Sequence, residues 1–326
     1  MKVLLTGASG FVGSHVLDVL QARKFPTAIL LRDSSNRRYF ERHLAAVEIR
    51  SGSITEPGSL LAAMEGVTHV IHCAGCTRAS VASDYRTINQ EGTAHLVSAV
   101  NARSPHIQRL VHLSSLAASG PATPEAPARE SAVPKPISEY GRTKLAGEIE
   151  VRGRCRAAYT ILRPPAVYGP RDTAFLPIFK AVKNHVLPSP NKNQALSLVF
   201  VRDLAEAVVL SLQHPNACGK TYFVSSRDMV SGRKMAKLIA EGMNVWTVPL
   251  PVPLFLLWTI CLIRELISRL TGKAGLLNLQ KFAELRAPGW VCDPSRFEGE
   301  LHFKCGTTLA AGVSESIKWY RQAKWL

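Results

Sequence analysis

Acidic residues are scarce in this chain: 24 Asp and Glu stand against 40 Lys and Arg, leaving a formal net charge of +16 over 326 residues. Cysteine is sparse as well. Seven cysteines, an odd number in a chain this long, make no disulfide framework, so a reducing compartment is the default. No uninterrupted apolar run reaches the roughly 18 residues that a spanning helix needs. The nearest approach, Val248 to Ile263, is broken by Pro249, Pro251 and Pro253 and closed by Arg264. The opening run from Met1 to Gly7 is too short for the apolar core of a signal peptide and has no small-residue cleavage site. The expected location is cytoplasmic, with attachment to a membrane surface left open. Low complexity is missing too: 46% hydrophobic and 20% charged residues describe a globular chain that buries a sizeable core. At this length it forms two domains or one large α/β unit with an appendage.

The basic surplus does not by itself mean nucleic acid. The cations are spread along the chain, and no helix-turn-helix, zinc-finger or RNP pattern accompanies them. An anionic cofactor, an anionic substrate and an anionic membrane surface remain. No metal is expected either. Cys73 and Cys76 form a C-x-x-C, but zinc would want further ligands at regular spacing and a redox dithiol would open a helix. The ten histidines make no H-E-x-x-H, and His72 reads as structural.

The first half alternates short β-rich runs with helical patterns, the signature of βαβ units and a doubly wound parallel sheet. Strands are expected at Lys2–Thr6, Thr27–Leu31, Val47–Arg50, Val67–Cys73, Arg109–Ser114 and Tyr159–Arg163. Helices are expected over Ser14–Lys24, over Glu56–Met64 with Thr55 as N-cap, over Asp84–Asn101 and over Ile137–Arg152. The proline-rich stretch 121–136 reads as a surface loop. Residues 1–168 form the cofactor domain, to which 197–225 returns, while 169–196 and 226–326 make a smaller, discontinuous substrate lobe.

Three motifs carry chemistry. Directly after the first strand stands T-G-x-x-G-x-x-G, from Thr6 through Gly7, Gly10, Phe11 and Val12 to Gly13. Its glycines permit a tight turn and close backbone approach, so a pyrophosphate can rest on the N–H groups of the following helix. The second strand ends at Arg32–Asp33. A carboxylate at that place accepts from a ribose 2′-hydroxyl, whereas an arginine accommodates a 2′-phosphate. With Arg32 at the strand end and Arg37 or Arg38 as a second cation, NADP(H) is favoured over NAD(H), provided that Asp33 points away. Third, Tyr140 and Lys144 form Y-x-x-x-K about 25 residues after Ser114–Ser115. The i,i+4 spacing sets phenol and ammonium on one helix face. A cation there lowers the tyrosine pKa from about 10 toward working pH, which would make Tyr140 a general acid/base.

On these residues the chain resembles an extended short-chain dehydrogenase/reductase, in the broad NAD-dependent epimerase/dehydratase family. TGASGFVG at 6–13, VIHCAG at 70–75, INQEGT at 88–93, LSS at 113–115, YGRTK at 140–144, LRPPAVYGP at 162–170 and VRDLAEA at 201–207 carry the likeness. The resemblance implies a Rossmann-type α/β fold and a catalytic set of Ser115, Tyr140 and Lys144 with Asn89. It also implies cofactor contacts from Ala74, Gly75, Pro164 and Val167, and a homodimer. Ser53 and Ile54 occupy the adenine-side loop where many relatives have an Asp. Leu116 after Ser115 argues against dehydration, and Pro165 and Ser119–Gly120 depart from sugar-nucleotide epimerases. LLRDSSN, LSSLAASGP and LRPPAVYGP look more like the 3β-hydroxysteroid dehydrogenase and dihydroflavonol reductase branches. The expectation is an NADP(H)-dependent oxidoreductase interconverting a secondary alcohol and a ketone on an apolar substrate. A nucleotide-sugar epimerase with a tightly held cofactor is the alternative, and a non-catalytic scaffold a third reading. Segment 248–263 reads as a buried helix, a lid or a membrane-surface anchor flanked by Arg264 and Arg269.

Overall fold

A computed structural model of the chain describes residues 1–189, 194–271, 275 and 278–326. Strand β1 (Val3–Thr6) leads through α1 (Phe11–Ala22) to β2 (Thr27–Leu31), and both strands are buried along their whole length. β3 (Glu48–Ser51) is a largely exposed edge, α2 (Pro57–Ala63) follows, and β4 (His69–His72) is again fully buried. After α3 (Ala82–Tyr85), a π-helical turn at 86–91 and α4 (Gly92–Ala102) come β5 (Arg109–Leu113), α5 (Glu139–Arg154) and β6 (Ala158–Arg163). Successive residues of a strand point to opposite faces, and that alternation sorts the core. Leu5, Ile29, Ile71 and Val111 pack on one face with α1, whereas Leu4, Leu30, Val70 and Leu110 pack on the other with α2, α4 and α5. Both faces being covered, the strands need no polar alternation.

β7 (Ala166–Tyr168) leaves this sheet, and α6 (Leu176–Lys183), β8 (Val186–Ser189) and β9 (Ala195–Phe200) follow. α7 (Val201–Gln213) then covers α1, and β10 (Lys220–Phe223) adds itself beside β6. The seven strands run parallel in the order β10-β6-β5-β4-β1-β2-β3, a doubly wound Rossmann arrangement. The smaller lobe holds β11 (Met229–Ser231), α8 (Gly232–Met243), β12 (Val248–Pro251), α9 (Leu254–Thr271), α10 (Leu279–Arg286) and β13 (Gly289–Trp290). α11 (Ser295–Leu301) packs on β10, and α12 (Leu309–Gln322) closes the chain. In this lobe β9 pairs with β7, β11 and β13, and β8 with β12. Its core joins Phe179, Met235, Ile239, Ile317 and Tyr320, with Trp319 and Trp325 packed against it.

Several local expectations change. Helix α2 starts on Pro57 with Glu56 as N-cap, because the Thr55 hydroxyl is engaged with Ser53 Oγ at 2.8 Å. The helix expected over 84–101 is interrupted by the π turn. The return expected over 197–225 begins only at α7, since β9 is committed to the small sheet. The 121–136 stretch is more than a surface loop: Ala122 and Ala128 exchange backbone hydrogen bonds with Gly289, Val291 and Asp293. The segment 248–263 is no buried helix but a short strand followed by an α-helix with mostly exposed apolar side chains. Within the lobe assigned to 169–196 and 226–326, residues 190–193, 272–274 and 276–277 lie outside the described residues.

Candidate active site

The turn after β1 cannot be built without glycine. Gly7 has φ +79°, and a Cβ on it would stand 2.6 Å from the Ala74 backbone nitrogen. A Cβ on Gly13 would lie 2.1 Å from the Gly7 carbonyl oxygen. Gly10 is the N-cap of α1, and the ladder begins with Ser14 N donating to Gly10 O at 3.0 Å. Phe11, Val12 and Gly13 therefore form the first turn, whose N–H groups helical bonding leaves unpaired. This bare, side-chain-free cradle fits a dinucleotide pyrophosphate. Ala74 and Gly75 continue it at the end of β4, and a Cβ on Gly75 would stand 3.2 Å from Asn89 Oδ1 and 3.7 Å from Lys144 Nζ.

At the tip of β2, Arg32 and Arg37 are exposed, and among the described residues their side chains have no hydrogen-bond or ion-pair partner. The Asp33 carboxylate accepts from Ser51 Oγ at 3.1 Å, which turns it toward β3. Arg38 is not a second cation for this place: its guanidinium bonds the Tyr39 hydroxyl and stacks on Tyr39 (4.4 Å) and Trp325 (5.3 Å). Ser53 is buried, with its N–H donating to Ser59 Oγ at 3.0 Å. Ile54 packs into the core beside Gly92, and its carbonyl is hydrogen-bonded to His95 Nδ1.

Helix α5 brings together Ser115, Tyr140 and Lys144, the set that the sequence singled out. Ser138 caps this helix by accepting from Gly141 N at 3.2 Å, and a Cβ on Gly141 would come within 2.3 Å of the Ala117 carbonyl oxygen. That close approach sets α5 against the turn carrying Ser115, whose Oγ accepts from Ala117 N at 3.1 Å and faces the Tyr140 phenol closely enough to pull its pKa down. Burial pushes the Tyr140 phenol up to about 12, only partly opposed by Ser115. The expected lowering by Lys144 is thus overturned: Lys144 is itself buried and donates from Nζ to the Leu113 carbonyl at 2.6 Å. Burial brings its ammonium down to about 8, with Glu148 and Cys73 partly restoring it. Tyr140 is accordingly a protonated phenol at neutral pH. Pro164 lies across from this turn, its carbonyl accepting from Leu116 N at 2.8 Å, and Val167 follows on β7, paired with Val199 of β9.

The Asn89 side chain, which the resemblance places in the catalytic set, is turned to the loop after Gly75 and to α5. Its Oδ1 accepts from Cys76 N at 2.8 Å, and its two amide hydrogens go to Cys76 O (2.9 Å) and Thr143 Oγ1 (3.2 Å). With its donors spent, it positions the loop after Gly75 on the catalytic helix. Both cysteines of the C-x-x-C are free, and burial pushes the Cys73 thiol up to about 12 and Cys76 upward, the reverse of a reactive dithiol. His72 is held between Thr6 (2.8 Å) and Thr93 (3.2 Å) and is kept neutral by burial.

The NAD dependent epimerase/dehydratase family matches residues 3–225, covering the cradle, the Ser115–Tyr140–Lys144 cluster and β10. The chain belongs to this family. A ceramide reductase of Caulobacter vibrioides is 28% identical over 327 residues, 99% of this chain and 96% of that protein. A UDP-glucose 4-epimerase of Vibrio cholerae is 27% identical over 344 residues, again 99% and 96%. The structure of a Thermus thermophilus UDP-glucose 4-epimerase in complex with NAD superposes with a TM-score of 0.78 at 22% identity, covering 99% of this chain and all of that one. This epimerase/dehydratase-family protein is therefore an NAD(P)-dependent enzyme of the extended short-chain dehydrogenase/reductase type.

Sequence reading missed three features of the enzyme. Glu148, one helical turn beyond Lys144, is fully buried and bonds Arg163 through both carboxylate oxygens, at 2.8 and 2.6 Å. Ser114 donates to the same carboxylate, so the two serines of the pair differ: Ser114 is structural and Ser115 faces Tyr140. The only sequence signal was a Glu at i+4 from the lysine. Tyr85, on α3, sets its ring 6.3 Å from that of Tyr140, with no motif to announce it. Finally, α10 closes on the helix that carries Tyr140: Gln280 Oε1 accepts from Glu139 N at 2.9 Å, and the negative charge of Glu284 helps to keep the Tyr140 phenol protonated.

Glu148→Gln leaves Arg163 buried without its counter-charge and should cost about 3–5 kcal/mol of stability, read as a lower urea midpoint. The double variant Glu148→Leu, Arg163→Met removes both charges and should lose less than the single change. A Glu148→Gln midpoint equal to wild type would refute this account of the pair.

Proposed function

We propose that this enzyme uses NADPH to reduce a ketone on a long-chain, apolar molecule. The observation that carries the reading is the β2 tip, where Arg32 stands exposed and without a side-chain partner among the described residues while Ser51 draws the Asp33 carboxylate aside. A guanidinium without a competing carboxylate suits a 2′-phosphate, and the phosphorylated cofactor suits net reduction rather than an internal redox exchange. Gly7, Gly10 and Gly13 with the N–H groups of Phe11 and Val12 would hold the pyrophosphate, Arg32 and Arg37 the 2′-phosphate, and Lys144 the nicotinamide ribose. Bound there, the cofactor supplies hydride.

The chain's own residues supply the rest. The Ser115 hydroxyl donates to the substrate carbonyl oxygen and fixes it beside Tyr140. Tyr140, protonated at neutral pH, passes its hydroxyl proton to that oxygen as negative charge develops there. Lys144, buried one turn along the same helix face, stabilises the phenolate left behind. Support for an apolar substrate comes from α9, a helix rich in apolar side chains that packs on α10, which is in turn bonded to the start of α5. The Caulobacter relative, a reductase of a lipid, points the same way.

The test offers nucleotide-free protein a panel of long-chain and short-chain ketones with NADPH, and a UDP-sugar without added nucleotide. Ketone reduction that is faster on the long chains is expected. Turnover of the UDP-sugar alone would overturn the reading.

A further inference from the structure

Among the described residues, α9 turns an apolar surface to solvent along its whole length of about 27 Å. Leu257, Cys261 and Ser268 form the narrow buried stripe of this helix. At 100° per residue the opposite arc carries Phe255, Leu256, Ile263, Leu266, Ile267 and Leu270, all exposed, with Phe255 at 74% and Leu270 at 87%. No charge falls within that arc. Arg264 lies outside it, and Glu265 is tied down by accepting from Leu279 N at 3.1 Å. Just upstream Trp246 is 68% exposed, and Val248 and Leu250 on β12 are exposed too. A contiguous surface of this kind is too apolar to face water without a partner.

We propose that this surface seats the enzyme on an anionic lipid bilayer, with α9 lying in the plane of the interface. The helix is not a crossing one: no described helix is long and apolar enough to cross a membrane. Its form, an apolar face with tryptophans and phenylalanine bordered by cations, is that of an interfacial helix. The border is basic. Lys237, loosely paired with Glu241 at 3.9 Å, shares a shallow cleft of about 440 Å³ with Trp246 and Glu241, Arg233 and Lys234 are exposed one turn earlier on α8, and Arg286 is exposed on α10. A second copy of the chain would bring another +16 against the first, whereas anionic headgroups complement it. The seat also has a direction. α9 is bonded to α10 through Glu265, which lies outside the apolar arc, and α10 to the start of α5 through Gln280, so the helix that carries Tyr140 is joined through α10 to the side of α9 turned away from the membrane. The proposal deepens the ketoreductase reading by naming the bilayer as the substrate's source, and rests on that reading for nothing else.

The full chain is floated with vesicles of equal parts phosphatidylglycerol and phosphatidylcholine, and with phosphatidylcholine alone. Binding to the anionic vesicles is expected, weakening as salt is raised. The triple variant Phe255→Ser, Ile263→Ser, Leu266→Ser should lower the partition coefficient on the order of 10²-fold, with NADPH affinity and thermal midpoint unchanged. Charge reversal by Arg233→Glu and Lys237→Glu should weaken binding to anionic vesicles without touching the apolar face, and decides the matter should the triple variant misfold. Wild-type protein that stays off anionic vesicles, binding indifferent to both sets of changes, or a wild-type dimer that the triple variant makes monomeric would overturn the proposal. None of these readouts uses turnover, so failure of the membrane seat and failure of the ketoreductase reading are told apart.

Discussion

Tyr140→Phe should lower kcat for ketone reduction on the order of 10²–10⁴-fold while leaving NADPH affinity where it was. The variant keeps the ring, and with it the packing against Tyr85 and the fit of α5 on the Ser115 turn, so the loss isolates one hydroxyl. The pH dependence separates Tyr140 from Lys144. Burial raises the tyrosine to about 12, so its acid form is present throughout the neutral and moderately alkaline range. Lys144 is held down to about 8, so its charge is present below that pH and is lost as pH rises through it. Reduction should therefore be level at neutral pH and fall along an alkaline limb near 8 that belongs to the ammonium. In Lys144→Met the limb should disappear with most of the rate. An alkaline limb that persists in Lys144→Met would contradict this assignment, and retained turnover in Tyr140→Phe would remove the acid from the account altogether.

The second large effect concerns the cofactor. Arg32→Asp should weaken NADPH on the order of 10²-fold, because it removes a charge-assisted hydrogen bond to phosphate and sets a like charge in its place. NADH should bind as well as before or better, since a carboxylate there can accept from the free 2′-hydroxyl. Arg37→Ala should weaken NADPH more modestly, and Arg38→Ala should leave it unchanged, because Arg38 is spent on Tyr39 and Trp325. Titration of each variant with both nucleotides provides the check. Equal wild-type affinities for NADPH and NADH would refute the role given to Arg32.

What could be read directly from the residues was local. The cradle from Gly7 to Gly13 is legible because its requirement, no Cβ beside Ala74 and none on the Gly7 carbonyl, falls on types that only glycine satisfies. The i,i+4 placement of Tyr140 and Lys144 follows from helix geometry alone. The sheet was legible because its runs are apolar on both faces, and residues such as Leu4 and Leu5 each find a core.

What failed depended on distant chain. The proton affinity of Tyr140 follows from its burial and from α10, whose Glu284 lies well over a hundred residues away in sequence. Asn89 spends its donors on Cys76 and Thr143, which no spacing rule foretells. The Glu148–Arg163 pair exists because β6 passes beneath α5. For α9, hydrophobic pattern marks an apolar face without saying whether the fold covers it, and here the fold leaves it open.

The account's central claim is net reduction of a ketone with Tyr140 as the acid. It is tested most directly by counting NADPH consumed against alcohol formed with a long-chain ketone, wild type beside Tyr140→Phe. One NADPH should disappear for each alcohol in the wild type, at a rate that collapses in the variant. Product formed without net loss of NADPH, as in an internal epimerisation, would contradict it.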